Sequence, residues 1–179
     1  MNKISLAVSA ALALGAAFSA NAQSGTINFE GNVTATTCSV SFNGGTTTDA
    51  TITLPTVAEG SLTAGNSAGR TPITLVVGAG GGCTATDYAL ELNPNSSAIV
   101  SASGRLANQT PVASNGADNV SVALRDDQNQ LIDLSKGPWS SARVAPATPI
   151  TFGSEYYAEG GNATAGDVTA NVQYTIDYN

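Results

Sequence analysis

Val168-Thr169-Ala170-Asn171-Val172-Gln173-Tyr174-Thr175-Ile176-Asp177-Tyr178 puts an apolar residue at every second position. Val168, Ala170, Val172, Tyr174, Ile176 and Tyr178 fall on one side, and polar residues fill the other. Side chains alternate across a strand, so this pattern predicts one buried face and one wet face. Working outward from this run, the chain offers more short strands with turn residues between them. They are Ser39–Phe42, Ala50–Leu54, Pro72–Val77, Tyr88–Leu92, Val120–Leu124, Leu131–Leu134 and Ile150–Tyr157. Asp127-Gln128-Asn129 sits between two of them as a hairpin turn. The stretches Gly60–Gly69 and Ala98–Asn119 are rich in Ser, Ala, Asn and Gly and read as surface loops. Past the first two dozen residues there is no amphipathic helical pattern. Many short strands in a chain of this size predict an all-β, immunoglobulin-like sandwich.

Composition narrows the chemistry. The 179 residues suit one domain, and 42% are apolar, enough for a packed core. There is no histidine, which excludes a Ser-His-Asp triad, a Cys-His dyad and histidine metal cages. A formal charge of −7 argues against nucleic acid as a partner. Paired carboxylates can hydrolyse glycosides without histidine, and Asp126-Asp127 or Glu155 with Glu159 are the nearest candidates. Asp126 and Asp127 read better as turn residues. Gly78-Ala79-Gly80-Gly81-Gly82 lacks the spacing and the following helix of a phosphate loop, so it reads as a connection. The sequence is therefore expected to be no enzyme, with no cofactor and no metal.

The N-terminus is an address. Lys3 precedes an apolar run from Ile4 to Phe18, and Ala20-Asn21-Ala22 supplies a small-x-small cleavage site. About 15 apolar residues fall short of the ~20 that span a bilayer. Residues 1–22 thus read as a secretory signal peptide, with Gln23 starting the mature chain. Export makes the cysteines legible, because Cys38 and Cys83 are the only pair and an oxidising compartment favours joining them. A reactive thiol or half of a metal site are the alternatives, and neither has a histidine or further cysteine to help it.

A second alternating strand lies just behind the cleavage site. Ile27, Phe29, Gly31 and Val33 point one way; Asn28, Glu30 and Asn32 point the other. It has no hairpin partner beside it. Such a strand pairs with a sheet edge of its own domain or with another chain, and the pattern alone favours its own domain.

Here the sequence resembles the chaperone–usher fimbrial (pilus) subunits, and among them type 1 major fimbrial subunits. The resemblance runs from Gly25-Thr26-Ile27-Asn28-Phe29-Glu30-Gly31 through Val33 into Cys38. It continues at Cys83 and Ala89-Leu90-Glu91-Leu92, and through Asn119–Leu124 into Asp126. Its most specific part is the end, where Gly166 lies fourteenth from the C-terminus and Tyr178 is penultimate. The resemblance implies an incomplete immunoglobulin-like sandwich lacking its last strand, with one disulfide, completed by a donor strand in trans. It implies that residues 23–37 are a donor-strand extension, with Ile27, Phe29, Gly31 and Val33 as donor positions, and that 38–179 are the pilin domain. Gly166, Val168, Ala170, Val172, Tyr174, Ile176 and Tyr178 would form the groove and chaperone-binding strand, with the Asn179 carboxylate as anchor. Ser39–Phe42 would lie at the other wall. The implied partners are a periplasmic pilus chaperone, an outer-membrane usher, and neighbouring copies of the chain or other pilins. The implied place is the cell-surface fimbrium, reached through the periplasm.

Two other readings stay open at this point. One is a minor adaptor pilin rather than a rod subunit. The other is a secreted carbohydrate-binding sandwich, which predicts exposed aromatics on one flat face; Trp139, Tyr156 and Tyr157 are the candidates.

Overall fold

The computed structural model describes residues 38–94 and 103–179. The predicted signal peptide and donor strand, including Ile27, Phe29, Gly31 and Val33, lie outside the described residues. Those described form eight strands: β1 (Val40–Phe42), β2 (Ser67–Val77), β3 (Tyr88–Asn93), β4 (Leu106–Ala107), β5 (Val120–Arg125), β6 (Trp139–Ser140), β7 (Ile150–Ala158) and β8 (Gln173–Tyr178). They build two antiparallel sheets, of order β1-β2-β7-β5-β4 and β6-β3-β8.

The core lies between the sheets. Ile73, Leu75 and Val77 come from β2, Val122 and Leu124 from β5, and Ile150 and Phe152 from β7; they face Tyr88, Leu90 and Leu92 of β3. Each set is spaced by two, as a one-sided strand requires. β8 continues this logic, since Tyr178, Ile176 and Tyr174 stand opposite Tyr88, Leu90 and Leu92. Same-face apolar pairs of this kind stabilise a sheet locally and hold its register.

Cys38 and Cys83 are bridged at a sequence separation of 45. The bond ties the start of β1 to the chain just after β2. Gly78 makes the approach possible, because a Cβ there would stand 2.9 Å from the Cys83 Cβ. Replacing both cysteines with serine is expected to lower stability by about 4 kcal/mol on loop entropy alone. A fall in the guanidinium midpoint, with a steeper slope because the unfolded chain is no longer cross-linked, checks this.

The structure departs from the sequence reading at several places. β2 begins at Ser67, not Pro72, because the ladder to β7 shifts register between Ala68 and Thr71 and carries the strand through an irregularity at Gly69. Leu131–Leu134 is not a full return strand. Asp126 organises the turn by accepting from the N–H groups of Gln128 and Gln130 (3.0 and 2.7 Å), and Arg125 bridges Leu131. The chain then leaves the sheet in a 3₁₀ turn, Leu134–Lys136, capped by the Asp133 carboxylate. The two stretches read as loops are not all surface, since Leu62, Leu106 and Ala117 are buried. β4 and β6 have two residues each, too short for any period to show. Val168–Tyr178 forms a ladder only from Gln173 onward, and that departure leads to the site.

On the outer face of the five-stranded sheet, Glu159 accepts hydrogen bonds from Ser103 (2.8 Å) and Ser121 (3.0 Å) and pairs with Arg105 at 3.2 Å. Arg105 also stacks 3.5 Å over the Tyr157 ring. Burial opposes ionisation of Glu159, but these hydrogen bonds and the Arg105 charge outweigh it and hold its pKa below the usual glutamate value. A lowered folded-state pKa adds stability above the unfolded pKa, and that stability is lost as pH falls through the folded value. Glu159→Gln is therefore expected to cost stability at pH 7. The gap to wild type should close below about pH 4.3; melting curves from pH 7 to 2 read it directly.

Candidate assembly groove

The six apolar residues of the last run share a feature that the core residues of β2, β3, β5 and β7 lack. Val168, Ala170, Val172, Tyr174, Ile176 and Tyr178 all pack against the core, yet each is only half-buried. Leu90 and Leu92 in the neighbouring strand are fully buried. The run alternates half-buried and exposed from Val168 to Asn179 without a break. The predicted face exists, and it is covered from one side only.

Two adjoining clefts explain this. One, of about 500 Å³, lies between Ala50–Leu54 and Val168–Val172, with Ile73, Leu106, Val122, Leu124 and Phe152 as its floor. The other, of about 630 Å³, continues past Thr56 and Val57 on one side and Thr164–Thr169 on the other, over Leu62, Ala117, Val120 and Ala163. Tyr156, Val168 and Thr169 line both clefts, so Tyr156 stands on the floor where they meet. Burial pushes the Tyr156 hydroxyl pKa up.

Both rims carry unpaired backbone. Among the described residues, no backbone hydrogen bond is made by Ala50–Val57 or by Ala170–Val172. Ile52 and Leu54 nonetheless pack on the core and alternate with exposed threonines, as in a strand. Backbone N–H and C=O groups demand partners. Two facing unpaired edges, set over an apolar floor, are what an added strand would satisfy.

The groove has an end. Phe42 of β1 meets Tyr174 edge-on with ring centroids 5.0 Å apart, and the Tyr174 hydroxyl donates to the Thr48 carbonyl at 2.5 Å. Burial first, then the Asp49 charge and Tyr178, push the Tyr174 pKa up. This corrects one expectation: Ser39–Phe42 is the edge of the five-stranded sheet, paired with β2. Ala50–Leu54 is the other wall. The sequence signalled it as a strand, and only the fold reveals its missing partner.

Each predicted C-terminal residue has a place. Gly166 lies where the chain enters the groove wall, and a Cβ on it would meet Ala117 N at 2.4 Å and the Asn115 carbonyl at 2.7 Å. No side chain fits between those backbones. Tyr178 packs on the core opposite Tyr88. Asn179 extends the ladder, donating its N–H to Asp87 and accepting from Thr86 N at 2.8 Å. Asn108, which shapes the wall, carried no signal in the sequence, and Tyr156, on the floor, was marked only as a candidate surface aromatic.

The other candidates are scattered. Trp139 lies on β6 in one sheet. Tyr156 and Tyr157 are consecutive on β7 in the other, so they face opposite sides. Glu155 is paired with Arg125 at 2.5 Å and Glu159 with Arg105.

A family model described as "Fimbrial protein" matches residues 27–179. A major fimbrial subunit, SMF-1, of Stenotrophomonas maltophilia is 37% identical over 174 residues, spanning 92% of this chain and 98% of that protein. An F17 fimbrial protein of Escherichia coli is 34% identical, over 88% of each. Among solved structures, a chaperone–usher pilus aligns with a TM-score of 0.52 at 18% identity, covering 88% of this chain and 96% of the other. That likeness concerns the fold, whereas the sequence matches reach from end to end. The chain belongs to the fimbrial protein family and is a structural pilin subunit.

Proposed function

We propose that this chain polymerises by donating its N-terminal strand to the groove of a neighbouring copy. The observation that carries the reading is the pair of backbone edges, Ala50–Val57 and Ala170–Val172, unpaired among the described residues and facing each other over an apolar floor. Residues 1–22 are the export signal, 23–37 the donor extension and 38–179 the domain that receives a donor. The family match begins at Ile27, beyond the export signal, and runs through extension and domain alike. Ile27 to Val33 in extended form spans about 20 Å at ~3.3 Å per residue, and Ala50–Val57 spans about 23 Å.

Before assembly the groove is an aggregation hazard, with apolar floor and unpaired edges exposed together. A periplasmic chaperone that lends a strand, and an outer-membrane usher where the exchange occurs, meet that need. Val168, Ala170, Val172, Tyr174, Ile176 and Tyr178 are the face the chaperone strand covers, Gly166 admits the chain to the wall, and the Asn179 carboxylate is the group for basic chaperone residues to hold. The fibre forms outside the cell, and its links are noncovalent because the only two cysteines are joined to each other. The likeness to a major fimbrial subunit supports a rod subunit over a minor adaptor. A structural role, not catalysis, is the function we assign. The test is refolding of Thr37–Asn179 with and without a Gln23–Thr36 peptide.

A further inference from the structure

Asn108 uses every hydrogen-bonding position of its side chain at the groove wall. Its Nδ2 donates to the carbonyls of Ala117 (2.9 Å) and Asp167 (3.0 Å). Its Oδ1 accepts from the N–H groups of Thr110 (3.0 Å) and Thr169 (3.0 Å). An amide side chain has two donors and one oxygen with two lone pairs, so nothing is left over. Gln109 adds its own N–H to the Thr169 carbonyl at 2.8 Å, and the hydroxyls of Thr110 and Thr169 meet at 2.8 Å.

The position explains the density of bonds. The ladder between β3 and β8 ends at Asn93 opposite Gln173. Among the described residues, no strand lies beside the wall on that side upstream of Gln173. Asn108 follows directly on β4, the edge of the sheet that floors the groove. It lines neither cleft. We propose that Asn108 is a positioning residue for donor-strand capture. It replaces the missing ladder, fixes 167–169 to the edge of the floor, and so sets the width of the groove. The inference rests on the donor-strand reading for its functional half.

The test uses the full-length secreted chain. Amide hydrogen exchange is measured in wild type, in Asn108→Ala and in Ser141→Ala. The last removes a comparable contact, to Leu90 N at 3.0 Å, in the other sheet. Asn108→Ala is expected to speed exchange at Thr169 by at least about tenfold while 173–178 keep their protection. Ser141→Ala is expected to leave Thr169 unchanged. Fibres of the same chains are then placed in guanidinium, and subunits are expected to leave Asn108→Ala fibres at least about tenfold faster than wild type. Should the alanine variant fail to fold, Asn108→Asp keeps both accepting contacts and loses both donated ones. It is then expected to release subunits faster with Thr169 still protected. In Asn108→Ala, unchanged exchange at Thr169, or a rise shared equally by 173–178, overturns the clamp whatever fills the groove; in Asn108→Asp, subunit release no faster than wild type overturns it. A loosened wall with unchanged subunit release overturns its role in capture. A wild-type domain that ignores the donor peptide sinks the donor-strand reading separately, and the exchange result still judges the clamp.

Discussion

Thr37–Asn179, refolded with its disulfide closed, is expected to melt at least about 10 °C higher once the Gln23–Thr36 peptide is added. Without the peptide it should recover poorly and aggregate. The magnitude follows from what the peptide brings. Ile27, Phe29 and Val33 each contribute about 1.5–3 kcal/mol when fully buried, or roughly 5–9 kcal/mol together. For a domain of this size each kcal/mol moves the midpoint by about 2–4 °C. Backbone pairing with Ala50–Val57 and Ala170–Val172 adds to this, because both edges lack partners among the described residues. Differential scanning calorimetry and size-exclusion chromatography read the two halves of the result. A truncated chain that folds to a stable monomer and ignores the peptide would falsify strand exchange, since its sandwich would already be closed.

Much of the fold was legible because one-sided burial writes itself as a period of two. Tyr88–Leu92, Val120–Leu124, Ile150–Tyr157 and the C-terminal run each carry that period over five residues or more, and each holds a strand. Leu106–Ala107 and Trp139–Ser140 cannot carry it, because two residues have no period. Their pairing is decided by strands far away in sequence, β5 and β3. The C-terminal run taught something further. Its alternation was read as a strand throughout, and the faces are as predicted, but among the described residues Val168–Val172 has no ladder. A pattern of side chains reports which face meets the core and says nothing about which backbone edge has a neighbour. The same holds for Ala50–Leu54. Only the fold brings the two open edges together. Asn108 was invisible for a related reason, since an asparagine in an Asn-rich loop looks ordinary until its surroundings are known, and Tyr156 was legible only as a surface aromatic, not as the floor of a groove.

Tyr156 yields the second large effect, through Gly31. The two clefts meet at Tyr156, which lines both with Val168 and Thr169. A strand laid along the groove can place a side chain in each cleft, and it must pass close over the ring between them. Along the apolar face of the donor only Gly31 has no side chain, and Phe29 and Val33 stand about 6.6 Å to either side of it. A glycine inside a strand marks a place where another group approaches closely. Replacing Gly31 with leucine in the peptide is thus expected to weaken binding about 100-fold, near the upper end of the 1–3 kcal/mol that overpacking costs. Alanine at position 31 should lose less. The decisive arm is the acceptor: in Tyr156→Ala, the leucine and glycine peptides are expected to bind within about tenfold of each other, because the space removed from the donor is returned by the floor. Both peptides will bind that acceptor more weakly than wild type binds the glycine peptide, since the ring also packs against Leu62 and Val120. Competition titrations with a labelled wild-type peptide give all four affinities. A leucine penalty that persists undiminished in Tyr156→Ala places Gly31 elsewhere in the groove and removes Tyr156 as the reason for it.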